Sequence, residues 1–250
     1  MKVYIIGAGP GDPELLTVKA RRLIDGARCI IFAGSLVSSD IAALFPADAE
    51  KHDSAALSLD EIVRVIKDAH SKDMDVLRIH SGDPSIYGAI NEQMDALDAL
   101  GIGYEIVPGV SSFQAAAAAL KTELTAPEVS QTIVLTRTAG RTPMPEEQEL
   151  EKLAQTKATL CIFLSVHKIA GIASTLARHY GEDCPAAVVF HASRPDELVI
   201  RGTLRDLAEK TAQAGISKTA LIIAGRALAR RGAVSKLYDS GFSHEFRDKK

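Results

Sequence analysis

A glycine-rich stretch, GAGPGD at residues 7–12, follows the first apolar run and has the residue types of a nucleotide-binding loop. A dinucleotide fingerprint needs the spacing G-x-G-x-x-G, but here Asp12 stands where the third glycine belongs. The next apolar run ends in IIFAGS, which offers no acidic residue for a ribose hydroxyl. The loop therefore argues against NAD and predicts a rigid backbone wall that a broad ligand approaches closely.

The candidates for acid–base chemistry lie at the ends of apolar runs, and they are Asp12, Asp83, His80 and His167. Asp83 precedes Pro84, which is the pattern of a helix N-cap followed by the first helical residue, and Asp12 precedes Pro13 in the same way. The carboxylate of Asp83 would also attract a cationic ligand, so both interpretations stay open. Histidines beside strands are usually structural, and the sequence identifies no general base.

The composition of the 250 residues argues against several classes of partner. Tryptophan is absent and aromatic residues make up 5%, which leaves no stacking platform for nucleic acid. The net charge of -3 gives no general attraction for polyanions. No apolar run suits a signal peptide or a membrane span, so we expect a cytoplasmic protein without a membrane partner. Cys29, Cys161 and Cys184 are isolated and predict reduced core thiols, with no metal site.

Apolar runs alternate with helical patterns along the first half, which predicts an α/β fold with a mostly parallel sheet. The predicted strands are KVYIIGAG, RCIIFAG, DVLRIHSGD and GYEIVPG. The predicted helices are DPELLTVKARRLIDGA, LDEIVRVIKDAHSK, PSIYGAINEQMDALDALG and VSSFQAAAAALKTEL. The third of these helices is expected to begin at Pro84 and to end at Gly101.

The second half repeats this alternation but predicts a mixed sheet, because ELVIRG and RGTL have the pattern of a β-hairpin. Its other predicted strands are QTIVLTR, TLCIFLS, PAAVVFHAS and TALIIAGRAL, and its helices are EEQELEKLAQ, HKIAGIASTLARHYG and TLRDLAEKTAQAG. With TAPEVSQ as the linker, we expect two α/β domains over residues 1–122 and 123–245. Open α/β sheets bind ligands at strand carboxyl ends, so we expect the active-site cleft between the domains.

Two long motifs resemble the signatures of the tetrapyrrole (uroporphyrin-III-type) methyltransferases. The first is IGAGPGDPELLTVKA at residues 6–20, and the second is VLRIHSGDPSIYG at residues 76–88, which continues to YEIVPG at residues 104–109. The motifs occur in the family's order and at its spacing. The resemblance implies the tetrapyrrole methylase fold, S-adenosylmethionine as the methyl donor, S-adenosylhomocysteine as its product, and a homodimer.

The segment from Pro108 to Glu146 is the most discriminating part of the resemblance. It is similar to members that methylate C-11 of precorrin-4 or cobalt-precorrin-4 in cobalamin synthesis. No residue distinguishes the metal-free acceptor from the cobalt-loaded one. The alternatives are a methyltransferase of the same fold that acts on another ring position, on RNA or on diphthamide, and a tetrapyrrole or nucleotide binder without activity.

The resemblance also implies positions for the two ligands. The expected donor contacts are Pro10, Ser81, Gly82, Asp83, Ile86, Ser111, Ser112, Leu164, Ala192, Thr219, Ala220 and Leu221. Many relatives have proline where Thr219 stands, so this position departs from the family pattern. One serine of the pair Ser111–Ser112 is also placed to cap the following helix.

The implied acceptor carries many carboxylates, so local cations at predicted strand ends should bind it. The expected acceptor contacts are Gly9, Gly11, Arg137, Arg141, His167, Lys168 and Arg194. Methyl transfer from a sulfonium is a single displacement that needs alignment rather than a metal. Asp83 and Asp12 are the residues expected to have a catalytic role, with Asp83 orienting the donor.

Overall fold

The computed structural model describes residues 1–140, 142–229, 243 and 245. Its contacts divide the chain into two compact units. Unit 1 contains Met1–Ala115 together with His191–Glu197, and unit 2 contains Ala116–Phe190 and the described residues from Leu198 onward. The chain therefore returns to unit 1 for one short segment late in the sequence. The domain boundary at 122/123 stays a prediction.

Unit 1 is built on a five-stranded sheet in which every neighbouring pair of strands is parallel. The strands are β1 (Val3–Gly7), β2 (Cys29–Phe32), β3 (Glu50–Asp53), β4 (Val76–His80) and β5 (Tyr104–Val107). Their order across the sheet is β3-β2-β4-β1-β5. This confirms the predicted parallel sheet, and it brings the carboxyl ends of β4, β1 and β5 side by side.

Apolar side chains cover both faces of this sheet, as expected for strands between two helical layers. The helices are α1 (Val18–Asp25), α2 (Ser39–Ala42), α3 (Leu59–Ser71), α4 (Asn91–Ala99) and α5 (Ser112–Ala119), and α5 continues past Ala115 into unit 2. The third of them, α3, begins with a capping box formed by Ser58 and Glu61.

Two predicted helix starts in unit 1 are wrong. Asp12 and Pro13 begin a separate 3-10 turn at Pro13–Leu15, and α1 starts later, with Thr17 as its N-cap. The helix expected from Pro84 begins only at Asn91. Tyr87 and Ala89 have φ angles of 56° and 48°, which a right-handed helix does not accept.

Unit 2 contains a five-stranded mixed sheet, which confirms the predicted sheet type. Its strands are β6 (Ile133–Arg137), β7 (Thr159–Phe163), β8 (Pro185–Phe190), β9 (Leu198–Thr203) and β10 (Ala220–Ala224), in the order β6-β7-β10-β8-β9. Only β6 and β7 are parallel. The hairpin predicted within residues 197–204 is wrong, because these residues form the single strand β9, which pairs with β8.

The helices of unit 2 are α6 (Leu150–Ala154), α7 (Ile169–Tyr180) and α8 (Leu207–Gln213), and they pack on one buried apolar cluster with the sheet. Cys161 and Cys184 belong to this buried interior, and Cys29 is buried in unit 1. All three thiols are unbridged, as predicted. In the part of the chain that the structure describes, no helix has the length and apolar character needed to cross a membrane.

Candidate functional site

Three loops meet at the carboxyl edge of the sheet in unit 1. The glycine-rich loop follows β1, the turn Ser81–Asp83 follows β4, and residues 108–109 follow β5. The first two loops are joined by a pair of backbone hydrogen bonds. The N–H of Gly82 donates to the carbonyl of Gly9 at 2.7 Å, and the N–H of Gly9 donates to the carbonyl of Gly82 at 3.2 Å. The sheet order thus assembles residues that lie more than 70 positions apart.

The loops approach each other so closely that only glycine fits. A Cβ on Gly7 would lie 2.6 Å from both the N of Gly109 and the O of Gly82. A Cβ on Gly109 would lie 2.3 Å from the same carbonyl oxygen of Gly82. Gly82 itself has a φ of 65°, in the region that favours glycine. We call Gly7, Gly82 and Gly109 the glycine crossing, which presents backbone without side chains.

The carboxylate of Asp83 ties the second loop to the third. Its Oδ2 accepts a hydrogen bond from the N–H of Gly109 at 2.9 Å. Its Oδ1 accepts hydrogen bonds from the N–H of Ser85 at 2.8 Å and from the Ser85 hydroxyl. Burial acts to raise the pKa of Asp83, but these hydrogen bonds outweigh it and the pKa is lowered. Asp83 is ionised and does not cap an α-helix, and its effect on the donor stays a prediction.

The third loop leads directly into α5. Ser111, which is 3% exposed, stands just before the helix and accepts hydrogen bonds at its carbonyl from the N–H groups of Gln114 and Ala115. The amide oxygen of Gln114 in turn accepts the N–H of Ser111 at 2.9 Å. Ser111 is therefore the serine at the N-cap position, and Ser112 is the first helical residue. In the second loop, Ile86 is half-buried.

The glycine-rich loop is held by the late segment 191–197 of unit 1. Arg194 donates to the carbonyl of Leu36 at 2.5 Å and to the carbonyl of Pro10 at 3.4 Å. The Ser193 hydroxyl accepts the N–H of Asp12 at 3.1 Å. A Cβ on Gly11 would lie 2.5 Å from the Cγ of Arg194, so the arginine stem packs directly on this glycine.

These contacts give Arg194 a structural task that the sequence did not predict. Its guanidinium donates to loop carbonyls, and burial lowers its pKa. Its expected contact with the acceptor stays a prediction. Asp12 also has a local role, because its Oδ1 accepts the N–H of Glu14 at 2.8 Å and so caps the 3-10 turn. On the other side of the loop, the Ser38 hydroxyl donates to the carbonyl of Gly11 at 2.6 Å.

His80 ends β4 directly before the second loop and is 8% exposed. Its Nε2 has no hydrogen-bond partner among the described residues. Burial, and then the positive charge of Arg78, lower the pKa of His80 to about 3. Because the best proton acceptors have a pKa near the working pH, this neutral imidazole is poorly suited to act as a general base.

In unit 2, β10 runs antiparallel to β7 and β8, so it begins at the edge of the sheet where those two strands end. Ala220, its first residue, pairs with Phe190, the last residue of β8. Thr219 and Leu164, which flank β10 and β7 at this edge, have φ angles of 51° and 54°. Strained non-glycine residues of this kind cluster at functional sites. Leu164 is also 67% exposed, which is unusual for a large apolar side chain.

Two predicted acceptor cations of unit 2 hold the segment that follows β6. Arg137 donates to the carbonyls of Pro143 at 2.7 Å and of Thr138 and Thr142 at 3.2 Å each. The ammonium group of Lys168 donates to the carbonyl of Ala139. His167 is exposed beside Lys168. Arg141 lies outside the described residues.

The structure distributes the predicted donor contacts between the two units. Unit 1 holds Pro10, Ser81, Gly82, Asp83, Ile86, Ser111, Ser112 and Ala192, whereas unit 2 holds Leu164, Thr219, Ala220 and Leu221. Within unit 1 the first seven lie on the three joined loops or immediately after them. Ala192 belongs to the segment that holds the glycine-rich loop, and it is 6% exposed.

One cluster of possible metal ligands was not anticipated from the sequence. Ligand atoms of Cys29, Glu50 and His52 lie within 4.8 Å of one another. The ammonium group of Lys72 lies 2.7 Å from a carboxylate oxygen of Glu50, so a cation there would meet a positive charge. Burial raises the pKa of the Cys29 thiol to about 11, which disfavours the thiolate that metals bind. We therefore assign this cluster no metal.

Comparison with known proteins gives one consistent group of relatives. Residues 2–208 match the family profile of the Tetrapyrrole (Corrin/Porphyrin) Methylases. A cobalt-precorrin-4 C(11)-methyltransferase of Methanocaldococcus jannaschii is 52% identical, with 98% of this chain and 96% of that protein covered. A precorrin-4 C(11)-methyltransferase of Pseudomonas aeruginosa is 50% identical, with 99% of each protein covered.

Two solved structures resemble the fold closely. The X-ray structure of a cobalt precorrin-4 methyltransferase has a TM-score of 0.88 at 45% identity, and the match covers 91% of this chain and 95% of that one. A uroporphyrin-III C-methyl transferase from Thermus thermophilus, complexed with S-adenyl homocysteine, has a TM-score of 0.76 at 29% identity. That match covers 92% of this chain and 94% of that one.

Gly109→Ala tests the glycine crossing. The added Cβ would overlap the Gly82 carbonyl, so we expect unfolding free energy to fall by about 1–3 kcal/mol, as for other overpacked sites. Affinity for S-adenosylhomocysteine should fall as well, as measured by calorimetry. Gly103→Ala at the other end of β5 is the matched control, because its Cβ would meet no atom within 4 Å. Equal stability of the two variants would contradict this description.

Asp83→Ala should fold but bind S-adenosylhomocysteine roughly tenfold more weakly, because a charged hydrogen-bond acceptor between two loops is lost. Unchanged affinity in calorimetry would rule out a role for this carboxylate in donor binding. Asp25→Ala, which removes a surface ion pair with Arg21, is the control. Since the folded pKa of Asp83 is lowered, its stabilising effect should be present above about pH 4 and disappear as the pH falls further.

Arg194→Met distinguishes the structural role of this arginine from the role expected from the sequence. If the guanidinium mainly holds Pro10 and Leu36, the variant should weaken donor binding several-fold and leave acceptor affinity unchanged. Separate titrations with the donor product and with a tetrapyrrole acceptor measure the two effects. Weaker acceptor binding with unchanged donor binding would favour direct contact with acceptor carboxylates instead.

Proposed function

Because the chain belongs to the tetrapyrrole (corrin/porphyrin) methylases, we propose that it transfers a methyl group from S-adenosylmethionine to C-11 of precorrin-4. Relatives with this activity in their names match almost the full length of the chain. Tetrapyrrole methylases use S-adenosylmethionine, and a similar structure is complexed with S-adenyl homocysteine. The product of the cobalamin-pathway reaction is then precorrin-5.

The observation that carries this proposal is the glycine crossing. Gly7, Gly82 and Gly109 leave no room for a Cβ, so the three loops pack directly on one another beside the buried residues Pro10 and Ser111. Loops fixed in this way would present a constant backbone surface to a nucleoside with an amino-acid tail. These loops would hold the donor in unit 1, and the donor contacts expected at Leu164, Thr219, Ala220 and Leu221 stay predictions.

The chain's contribution to such a reaction is alignment. The donor, when bound, supplies an activated methyl group on a sulfonium, so the protein needs no nucleophile of its own. Holding the reacting atoms at attack distance can lower a barrier by about 7–11 kcal/mol. Asp83 and Arg194 support this role, because each fixes a loop through hydrogen bonds to backbone groups. The neutral His80 is consistent with a reaction that does not depend on a strong general base.

The acceptor in this proposal is a flexible macrocycle with many carboxylates. Arg137 and Lys168 offer positive charge at the strand-end edge of unit 2, and the acceptor contacts expected at Gly9 and Gly11 stay predictions. Asp83 and Asp12 act on loop geometry rather than on the acceptor. We further propose that the enzyme is a cytoplasmic homodimer, as the family resemblance implies.

Cobalt-precorrin-4 is the second candidate acceptor. It is favoured by the Methanocaldococcus jannaschii relative at 52% identity, whose name specifies the cobalt-loaded substrate. The relatives named for the metal-free substrate reach 50% identity, so identity does not separate the two acceptors.

Mass spectrometry of the products tests both candidates directly. The purified chain is incubated with S-adenosylmethionine and either precorrin-4 or cobalt-precorrin-4. We expect one added methyl group per macrocycle with the metal-free acceptor, placed at C-11 by NMR of the labelled product. Faster turnover of the cobalt-loaded acceptor would favour the second candidate. Methylation of neither acceptor, or at another ring carbon, would refute the C-11 assignment.

A further inference from the structure

Unit 2 contains a cavity of about 330 Å³ that the sequence did not predict. It lies between the segment after β6, helix α6 and the first turns of α7. Met144, Leu150 and Ile172 give it an apolar lining, and Arg137 and Lys168 contribute positive charge. An apolar cavity with a few charged groups is the usual form of a small-molecule site.

Gly171 stands at an exposed position in the wall of this cavity. Gly171 lies within α7, where glycine is less favourable for the helix than alanine. Close packing does not explain it, because an added Cβ would meet no atom within 4 Å. The missing side chain therefore leaves space that the fold itself does not use.

The charge of the lining favours an anion. Neither Arg137 nor Lys168 forms an ion pair with a carboxylate of the described residues, and their hydrogen bonds go to backbone carbonyls. Of the two acidic residues in the lining, Glu151 is paired with Arg178 and His179 outside the cavity. Arg137 and Lys168 have no carboxylate partner among the described residues, so an anion beside them would meet two unpaired positive charges, with Glu149 as the remaining acidic group of the lining.

The position of the cations connects this cavity to the strand-end edge of unit 2. Arg137 is the last residue of β6, and it pairs with Phe163 at the end of β7. Lys168 follows β7 by a single 3-10 turn, Val166–Lys168. Leu164, with its strained backbone, lies between Phe163 and this turn in the chain. The two cations of the lining thus lie where β6 and β7 end.

We propose that this cavity is a subsite for one acetate or propionate arm of the acceptor, with the carboxylate bound by Arg137 and Lys168. The inference rests on the proposed function. A cavity at the small end of the range for drug-sized ligands takes an arm and not the macrocycle. A carboxylate also forms stronger hydrogen bonds with a cation than the carbonyl of Ala139 does, so it replaces that contact of Lys168.

Filling the cavity at Gly171 tests the subsite. Gly171→Leu places a side chain in the open space, and we expect the KM for the acceptor to rise roughly tenfold or more while the affinity for S-adenosylhomocysteine is unchanged. Gly103→Leu is the matched control, with wild-type KM expected, because Gly103 is an exposed residue of unit 1 where an added Cβ also meets no atom within 4 Å. An unchanged acceptor KM in Gly171→Leu would overturn the subsite.

A second variant and a binding measurement keep the test independent of folding and turnover. Lys168→Met should raise the acceptor KM without affecting the donor product, even if Gly171→Leu fails to fold. Binding of a porphyrin polycarboxylate and of its methyl ester is then followed by fluorescence. We expect Lys168→Met to weaken binding of the acid but not of the ester, whereas Gly171→Leu blocks the arm by its volume and should weaken binding of both probes. Equal effects of Lys168→Met on the two probes would overturn the carboxylate assignment.

These probes also separate the subsite from the proposed function. Suppose that the wild-type chain methylates neither acceptor, but that Lys168→Met weakens binding of the porphyrin acid and not of its ester. The proposed function is then wrong and the subsite stands. If methylation proceeds normally in every variant, with unchanged KM, the function stands and the subsite is wrong.

Discussion

The candidate site depends on a steric constraint, the close approach of three backbone segments at Gly7, Gly82 and Gly109. Because β4, β1 and β5 are adjacent and parallel, their following loops leave the sheet at one edge and must pass each other there. With no side chain at the crossing, the loops pack on one another and exchange backbone hydrogen bonds. The sheet thereby determines the positions of the main-chain atoms in all three loops.

The polar side chains around this crossing mainly support the backbone. Asp83 accepts hydrogen bonds from two N–H groups, and Arg194 donates to two loop carbonyls. In unit 2, Arg137 likewise supports the backbone by donating to the carbonyls of Thr138, Thr142 and Pro143. Such an arrangement suits a transfer reaction whose barrier falls through alignment, since rigid loops keep a bound donor in one geometry.

In unit 2, the edge of the sheet that carries the predicted donor contacts is formed by a different strand topology. The antiparallel strand β10 contributes its first residue, Ala220, beside the last residue of β8, so a strand start joins strand ends. Leu164 and Thr219 have positive φ angles at this edge. Each adjoins a residue of a paired strand, and this pairing lets the strained backbone persist. In α7, the exposed Gly171 borders the cavity of this unit.

The sequence by itself determined the family, the two α/β halves, the type of each sheet and the positions of most strands. Those features depend on local periodicity and on contiguous motifs, which a sequence displays directly. Only the tertiary structure showed that Arg194 holds a loop 184 residues away, that α4 starts at Asn91, and that Gly171 borders a cavity. These features depend on how distant segments pack and on the backbone angles that this packing sets. Neither the packing nor the angles can be predicted from the spacing of residues along the chain.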